Sequence, residues 1–341
     1  MTIANTVSAP RHRIPGDLVT AVVIFVVIYS LLLTIAPFER NLYSFSNFVL
    51  LMMPLAIAVI GTSTVLITGG FDLSVAGMIG LSNVLATVLT SAYPDMMMPI
   101  MIGILGLGLV VGLVNGVLIV LLGLQSIAVT LASYICMTGV ALILLPAPGG
   151  SVPIEVTSML KLSVGGFPAA LGALIALCLL WAYLTRTRFG TTLFSIGSDR
   201  QTAVISGMPV RSTEVGAYAF AGVMYAIAGL FLTAVTASGD PNAGFPFLLT
   251  SFAAVALGLV SFRGGKGSAI GAVFGAGSLI ALPKLLFGLR IQDFWSGAIL
   301  GITILLALSL PLLARVAKRR RRPAARTVTD TRSRKDLADV A

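Results

Sequence analysis

The stretch NFVLLMMPLAIAVIGTSTVLITGGFDLSV, Asn47–Val75, decides the fold. Residues 47–68 carry no charge and meet the length of about 20 predominantly apolar residues that a helix needs to cross the hydrocarbon of a bilayer. Gly69-Gly70 then breaks the run, and Asp72 and Ser74 follow before the next apolar stretch begins. A carboxylate held between two such runs is expensive to bury. Capping the start of the next helix is the reading taken for Asp72 or Ser74, with a direct part in substrate passage left open. Pro54 removes a backbone hydrogen bond in mid-span and is expected to kink it.

Working outward, the same ruler finds roughly ten spans, near 18–36, 47–68, 75–92, 97–122, 126–145, 167–184, 214–236, 247–262, 268–288 and 294–312. The chain of 341 residues is 57% hydrophobic and 10% charged, with a mean hydropathy of +1.03, which excludes a water-soluble fold. The expected class is therefore an all-α polytopic membrane protein. Its net charge of +10 does not point to nucleic acid, because many of the basic residues crowd the run from Arg315 to Lys335, beyond every apolar segment. That tail is read as solvated or in contact with anionic lipid headgroups.

Lys and Arg gather on the cytoplasmic side of short loops. With the N-terminus inside, the inner loops hold Arg11, Arg13, Arg186, Arg188, Arg200, Arg211, Arg263, Lys266 and the C-terminal tail; the outer loops hold Arg40, Lys161, Lys284 and Arg290. Both termini are thus expected in the cytoplasm. Trp181 and Tyr183 at one helix end, and Phe294 and Trp295 at another, read as interfacial belts. The first span lacks a small-x-small cleavage site and reads as a retained anchor. The expected organisation is a cytoplasmic tail (1–17), a transmembrane domain (18–312) and a basic cytoplasmic tail (313–341).

Gly108, Gly112 and Gly116 recur at i, i+4 in the fourth span, and Gly267, Gly271 and Gly275 repeat that spacing at the ninth. Such rows let helices approach closely. An offset of five spans reverses orientation in the membrane, so two inverted five-helix halves are the expectation. Cys136 and Cys178 lie in apolar runs with no metal-ligand spacing and read as buried thiols. His12 is the sole histidine, and no metal site is expected.

Residues 185–213 form the longest inner loop before the tail. Phe189, Leu193, Phe194, Ile196, Ala203, Val204 and Ile205 alternate there with Gly190, Gly197, Gly207, Asp199 and Arg200, which suggests short amphipathic helices between tight turns. Those apolar anchors want a surface, either this protein's own helix ends or another subunit, the second being preferred. Gly264-Gly265-Lys266-Gly267-Ser268 lacks the phosphate-loop spacing. With no nucleotide motif, ATP-driven transport would need a separate subunit. A secondary transporter or channel acting without an ATPase is the alternative.

Four stretches together make the chain resemble the ribose/xylose/autoinducer-2 (monosaccharide) permease family of bacterial ABC importers. They are GGFDLSV (69–75), similar to the family's GGIDLSVG; GLVNG (112–116), like GLxNG; FGTTLFSIGSDRQTAVISGMPV (189–210), like the family's coupling segment; and GGKGS (264–268). Asp199-Arg200 stands where the family has an asparagine-centred turn, Val204 replaces an alanine, and IAVTLA (127–132) matches FIxTLG loosely. The resemblance implies a permease subunit that translocates a small sugar or sugar-like solute, with no covalent chemistry and no cofactor of its own. The implied partners are a second permease subunit as homodimer or heterodimer, cytoplasmic ATPases that use the ATP, an external solute-binding protein and membrane lipid. The setting is the bacterial cytoplasmic membrane. It carries Phe189, Gly190, Gly197, Asp199, Ala203 and Gly207 as ATPase-coupling residues, and Asp72, Ser74, Asn115 and Thr130 as residues of the translocation path or its gate.

Overall fold

The computed structural model describes residues 16–161, 163–164 and 167–291, with positions 295, 297, 298, 301, 302 and 305 beyond them. The expected tenth span, His12, Arg11, Arg13 and the basic tail from 313 lie outside this range or almost wholly so. The described helices are α1 (Gly16–Ile35), α2 (Leu42–Ile67), α3 (Ser74–Ala92), α4 (Met97–Val120), α5 (Ser126–Leu144), α6 (Ile154–Lys161), α7 (Ala169–Leu184), α8 (Arg188–Ser198), α9 (Arg200–Ile205), α10 (Val210–Thr236), α11 (Phe245–Leu257) and α12 (Ala269–Gly288). A two-residue antiparallel pair, Ser163–Val164 with Phe167–Pro168, joins α6 to α7. Seven helices, α1 to α5, α10 and α12, are long and apolar enough to cross a membrane, so the protein is an all-α polytopic membrane protein.

Three of the described helices, α2, α9 and α12, start at an N-cap side chain that accepts a backbone amide. The Asn41 carboxamide oxygen accepts from Ser44 N at 2.8 Å to open α2, and Ser268 accepts from Ile270 N at 3.2 Å to open α12. α2 remains helical through Pro54 and stops at Thr68, followed by Gly69 at φ 88°. α11 is shorter than its expected span: 13 residues rise about 20 Å at 1.5 Å each, against roughly 30 Å of hydrocarbon. Beyond it the chain turns at Leu259, φ 58°, and Ser261 N donates to Lys266 O at 3.0 Å.

α2 is buried along most of its length and touches α7, α8, α10, α11 and α12. Part of the remaining packing follows a five-span offset. α4 lies on α10 as α12 lies on α2, α3 lies on α10 as α11 lies on α2, and α3 meets α11. That pattern fits two inverted halves. The glycine row of α4 makes the first contact possible, for a Cβ at Gly108 would stand 2.5 Å from Gly222 O. Gly271 and Gly275 place α12 against Gly258 and Ala254 of the α11 end. Gly267, in contrast, precedes α12 and serves the turn: its φ of 120° is one that side-chain-bearing residues rarely adopt.

Three local expectations change. Trp181 is buried in the core instead of lying in an interfacial belt, whereas Tyr183 is exposed. Cys136 is exposed on α5 and Cys178 only half-buried on α7. The seventh expected span starts earlier, at Val210, so the segment 185–213 includes the first turn of α10.

Candidate functional site

The break between α2 and α3 is held from two sides by hydroxyl groups. Asp72 is buried, and its Oδ1 accepts from Ser74 N at 2.9 Å and from the Ser74 hydroxyl, which ties the carboxylate to the first turn of α3. On one side the first turn of α5 supplies acceptors. Thr130 Oγ1 takes the Leu73 amide at 3.0 Å, and Ser126 Oγ takes the Phe71 amide at 3.4 Å. On the other side α10 supplies tyrosines. The Tyr218 hydroxyl donates to Phe71 O at 3.4 Å, and the Tyr225 hydroxyl reaches Asp72 and stands 3.4 Å from Thr62 Oγ1. A backbone without helical hydrogen bonds in a low-dielectric interior needs each such partner.

The arrangement thus brings Asp72, Ser74 and Thr130 together. Asn115 stands apart on α4, where its Oδ1 accepts from the Ser133 hydroxyl of α5 and its Nδ2 has no hydrogen-bond partner among the described residues. Sequence reading missed Ser126, Tyr218 and Tyr225. For Ser126 a signal existed, since it lies one helical turn before Thr130 on the same face; nothing in the sequence singled out the tyrosines.

The second element is the α8–α9 unit. α7 turns by 73° into α8, which buries Gly190, Thr192, Leu193 and Ile196 against the bundle. The apolar anchors Phe189, Leu193 and Ile196 therefore find their surface on this chain's own helices, and the exposed apolar residues are Val204 at 52% and Ile205 at 79%. Gly197 faces the Ile67 carbonyl and Gly265, and Gly265 N donates to that same carbonyl at 2.9 Å. The end of α2, the 264–265 turn and the end of α8 thus meet at one point.

Asp199 caps α9: Oδ1 accepts from Gln201 N at 3.0 Å and Thr202 N at 3.1 Å, and Oδ2 from Thr202 Oγ1 at 2.6 Å. The Thr202 bonds hold its carboxyl below the usual carboxylate range. Ala203 is buried with Ile196, Val210 and Met208, and Gly207 takes the turn to Met208 at φ 71°. Arg200 grips Glu214 on α10 with two bonds, at 2.7 and 2.9 Å. A cleft of about 290 Å³ opens between α8 and α9, lined by Phe194, Ser198, Asp199, Thr202, Ala203 and Ser206 among others. A larger cavity of about 1090 Å³ connects Gly69, Gly70, Ser126 and Tyr218 of the break with Arg200 and Glu214. Among the described residues no group of three or more His, Cys, Asp and Glu side chains is placed to hold a metal ion.

This architecture has relatives. Residues 44–308 match the family model described as branched-chain amino acid transport system / permease component. The galactose/methyl galactoside import permease protein MglC of Haemophilus influenzae is 30% identical over 87% of this chain and 94% of its own. The ribose import permease protein RbsC of Bacillus subtilis is 31% identical over 73% of this chain and 79% of its own. The autoinducer 2 import system permease protein LsrD of Escherichia coli is 32% identical over 67% and 71%. No solved structure matches the chain. A helical bundle with an interior break, a bent surface helix and this breadth of similarity agree, and the chain belongs to the ABC-importer permease family described as branched-chain amino acid transport system / permease component.

Proposed function

We propose that this permease moves a small sugar or sugar-like solute across the bacterial cytoplasmic membrane, receives it from an external solute-binding protein, and is driven by separate ATPase subunits docked on α8 and α9. The sugar assignment draws on the names of the similar galactose/methyl galactoside and ribose permeases. The ATP is hydrolysed by the partner, and this chain works as one of two permease subunits, with both termini and the α8–α9 unit in the cytoplasm.

One observation carries the mechanism: the backbone of Gly197 is seated on the Ile67 carbonyl and the Gly265 turn. A push on α8 is delivered directly to the end of α2, and α2 ends at the break that holds Asp72. Asp72 and Ser74 fix the start of α3, Thr130 ties that start to α5, and Asn115 joins α4 to α5. A displacement at α8 thereby changes the relation of α3 and α5 to the rest of the bundle, which is what switching access requires. Phe189, Gly190, Asp199, Ala203 and Gly207 shape the docking unit that receives the push.

The test is reconstitution of the permease in vesicles with its candidate ATPase and binding protein, with uptake of labelled galactose and ribose measured. Uptake that needs ATP, the ATPase and the binding protein supports the reading. Sugar movement by the permease with no ATPase present would replace it with a secondary transporter.

A further inference from the structure

An apolar groove of about 370 Å³ runs between α1, α2, α7 and α12, away from the break and the coupling unit. Phe25 forms its floor. The ring of Phe25 packs on Phe48 at 6.3 Å and Phe274 at 5.6 Å, and a Cβ at Gly277 would stand 2.7 Å from it, so the floor is pinned. α7 forms a wall through Leu174 and Cys178, and this helix packs chiefly on α2. Ile175 and Leu179, also on the wall, are 51% and 65% exposed.

Three features identify the occupant. The groove lies among helices of the membrane-spanning bundle, and apart from the Cys178 thiol no polar side chain lines it, so nothing there would hold water. It is open on the side of the exposed wall residues Ile175 and Leu179, so the lipid around the bundle has access to it. At the end of α7 that leads to α8, one turn beyond the groove residue Ala182, Arg186 and Arg188 are exposed and make no ion pair with a described residue. Basic side chains flanking a span attract anionic headgroups.

We infer that this groove binds one acyl chain of an anionic phospholipid whose headgroup is held by Arg186 and Arg188. The chain lies behind the helix that bends by 73° into α8, so its presence braces the arm that carries the coupling unit. The occupancy itself does not depend on the assignment of the ATPase or the cargo.

The experiment uses the full chain in nanodiscs of phosphatidylglycerol carrying a trace of phosphatidylglycerol with a diazirine on one acyl chain. Photocrosslinks should concentrate on peptides of α1 and α7 that contain Phe25 and Cys178. Cys178→Phe, which fills the groove, should lower that crosslinking at least fivefold, while Val110→Phe on the exposed face of α4 leaves it unchanged. Ala182→Leu provides a milder filling variant that preserves the fold if Cys178→Phe does not. Arg186→Gln with Arg188→Gln should remove competition by phosphatidylglycerol over phosphatidylcholine and keep the chain crosslink. Crosslinks spread evenly over all exposed helices, or undiminished in a folded filling variant, overturn the site. Oxidative Cys178–Cys178 dimers in the wild type would assign the groove to a second copy and overturn it equally.

Discussion

Gly197 of α8 and Ile67 at the last turn of α2 meet backbone to backbone, so closely that a methyl group at position 197 would overlap the Ile67 carbonyl oxygen. A bulky residue at Gly197 must therefore push α8 off the bundle. Overpacking of this kind costs roughly 1–3 kcal/mol. Gly207 makes an internal comparison, since nothing lies within 4 Å of a Cβ built there and a side chain meets only the backbone strain of its φ of 71°, about 1–2 kcal/mol. Gly197→Val is expected to abolish uptake while the protein still inserts, and Gly207→Ala to retain most of it. Vesicle uptake normalised to inserted protein measures both; equal effects would remove the special place given to the α2–α8 contact.

At the break, the Asp72 carboxylate serves as acceptor for Ser74 N, a task that an amide oxygen also performs. Asp72→Asn should therefore keep more uptake than Asp72→Leu, which leaves the first amide of α3 without its partner. Equal loss in both, at normal expression, would show that the negative charge itself is required. Thr130→Val should behave like Asp72→Leu, because the Leu73 amide loses its acceptor at a cost of about 1–3 kcal/mol. Thr130→Ser should rescue it.

Much of this was legible in the sequence because lipid makes the rules strict. Uncharged runs of span length can only be helices there, and nine of the expected spans coincide with described helices to within a few residues. The glycine rows of α4 and α12 and the capping place of Asp72 followed from spacing alone. The partners of Asp72 did not, since Tyr225 lies 153 positions away, and no local pattern encodes which face of α10 meets the break. The amphipathic stripe of α8 was legible as a stripe; its destination was not, because Leu193 and Ile196 satisfy a bundle surface and a foreign subunit equally well on paper. Trp181 misled for the same reason: a tryptophan at a helix end is interfacial only where no neighbouring helix covers it.

Arg200 and Glu214 tie α9 to α10, yet the arginine side chain is 54% exposed, so solvent screening limits the pair to about 0.2–1 kcal/mol. A double-mutant cycle with Arg200→Gln and Glu214→Gln should show a coupling of that size in thermal stability. The cost to ATP-coupled uptake should be larger than the cost to stability, because the pair fixes the docking unit to a spanning helix. A loss of uptake no greater than the loss of folded protein would reduce the pair to a surface contact.

Orientation is testable at two exposed positions in described segments. Ser158 on α6 is expected outside and Gln201 on α9 inside, following the Lys and Arg distribution. In a background with Cys136 and Cys178 replaced by Ser, Ser158→Cys should react with an impermeant maleimide applied to intact cells, and Gln201→Cys only after lysis. The reverse labelling would invert the whole bundle.

The docking surface itself calls for a sharper variant than the buried centre of the segment. Ala203 is 3% exposed against Ile196 and Val210, so Ala203→Glu buries a carboxylate in this chain's own packing and disrupts the unit from within. Loss of ATPase binding in that variant would not separate a damaged surface from a damaged fold. Val204 and Ile205 lie on the outside of the same short helix at 52% and 79% exposure. Two exposed apolar side chains beside a cleft whose lining includes Ser195, Ser198, Asp199, Thr202 and Ser206 are where a partner gains most by contact. Ile205→Glu is expected to leave insertion and thermal stability within about 0.5 kcal/mol of wild type, as exposed substitutions do. It should weaken co-purification with the ATPase at least tenfold and uncouple ATP hydrolysis from uptake. Ala203→Glu should lose stability and docking together. Should Ile205→Glu and Val204→Glu both bind the ATPase and transport as well as wild type, the ATPase docks elsewhere, and the α8–α9 unit is a brace for the α2 break alone.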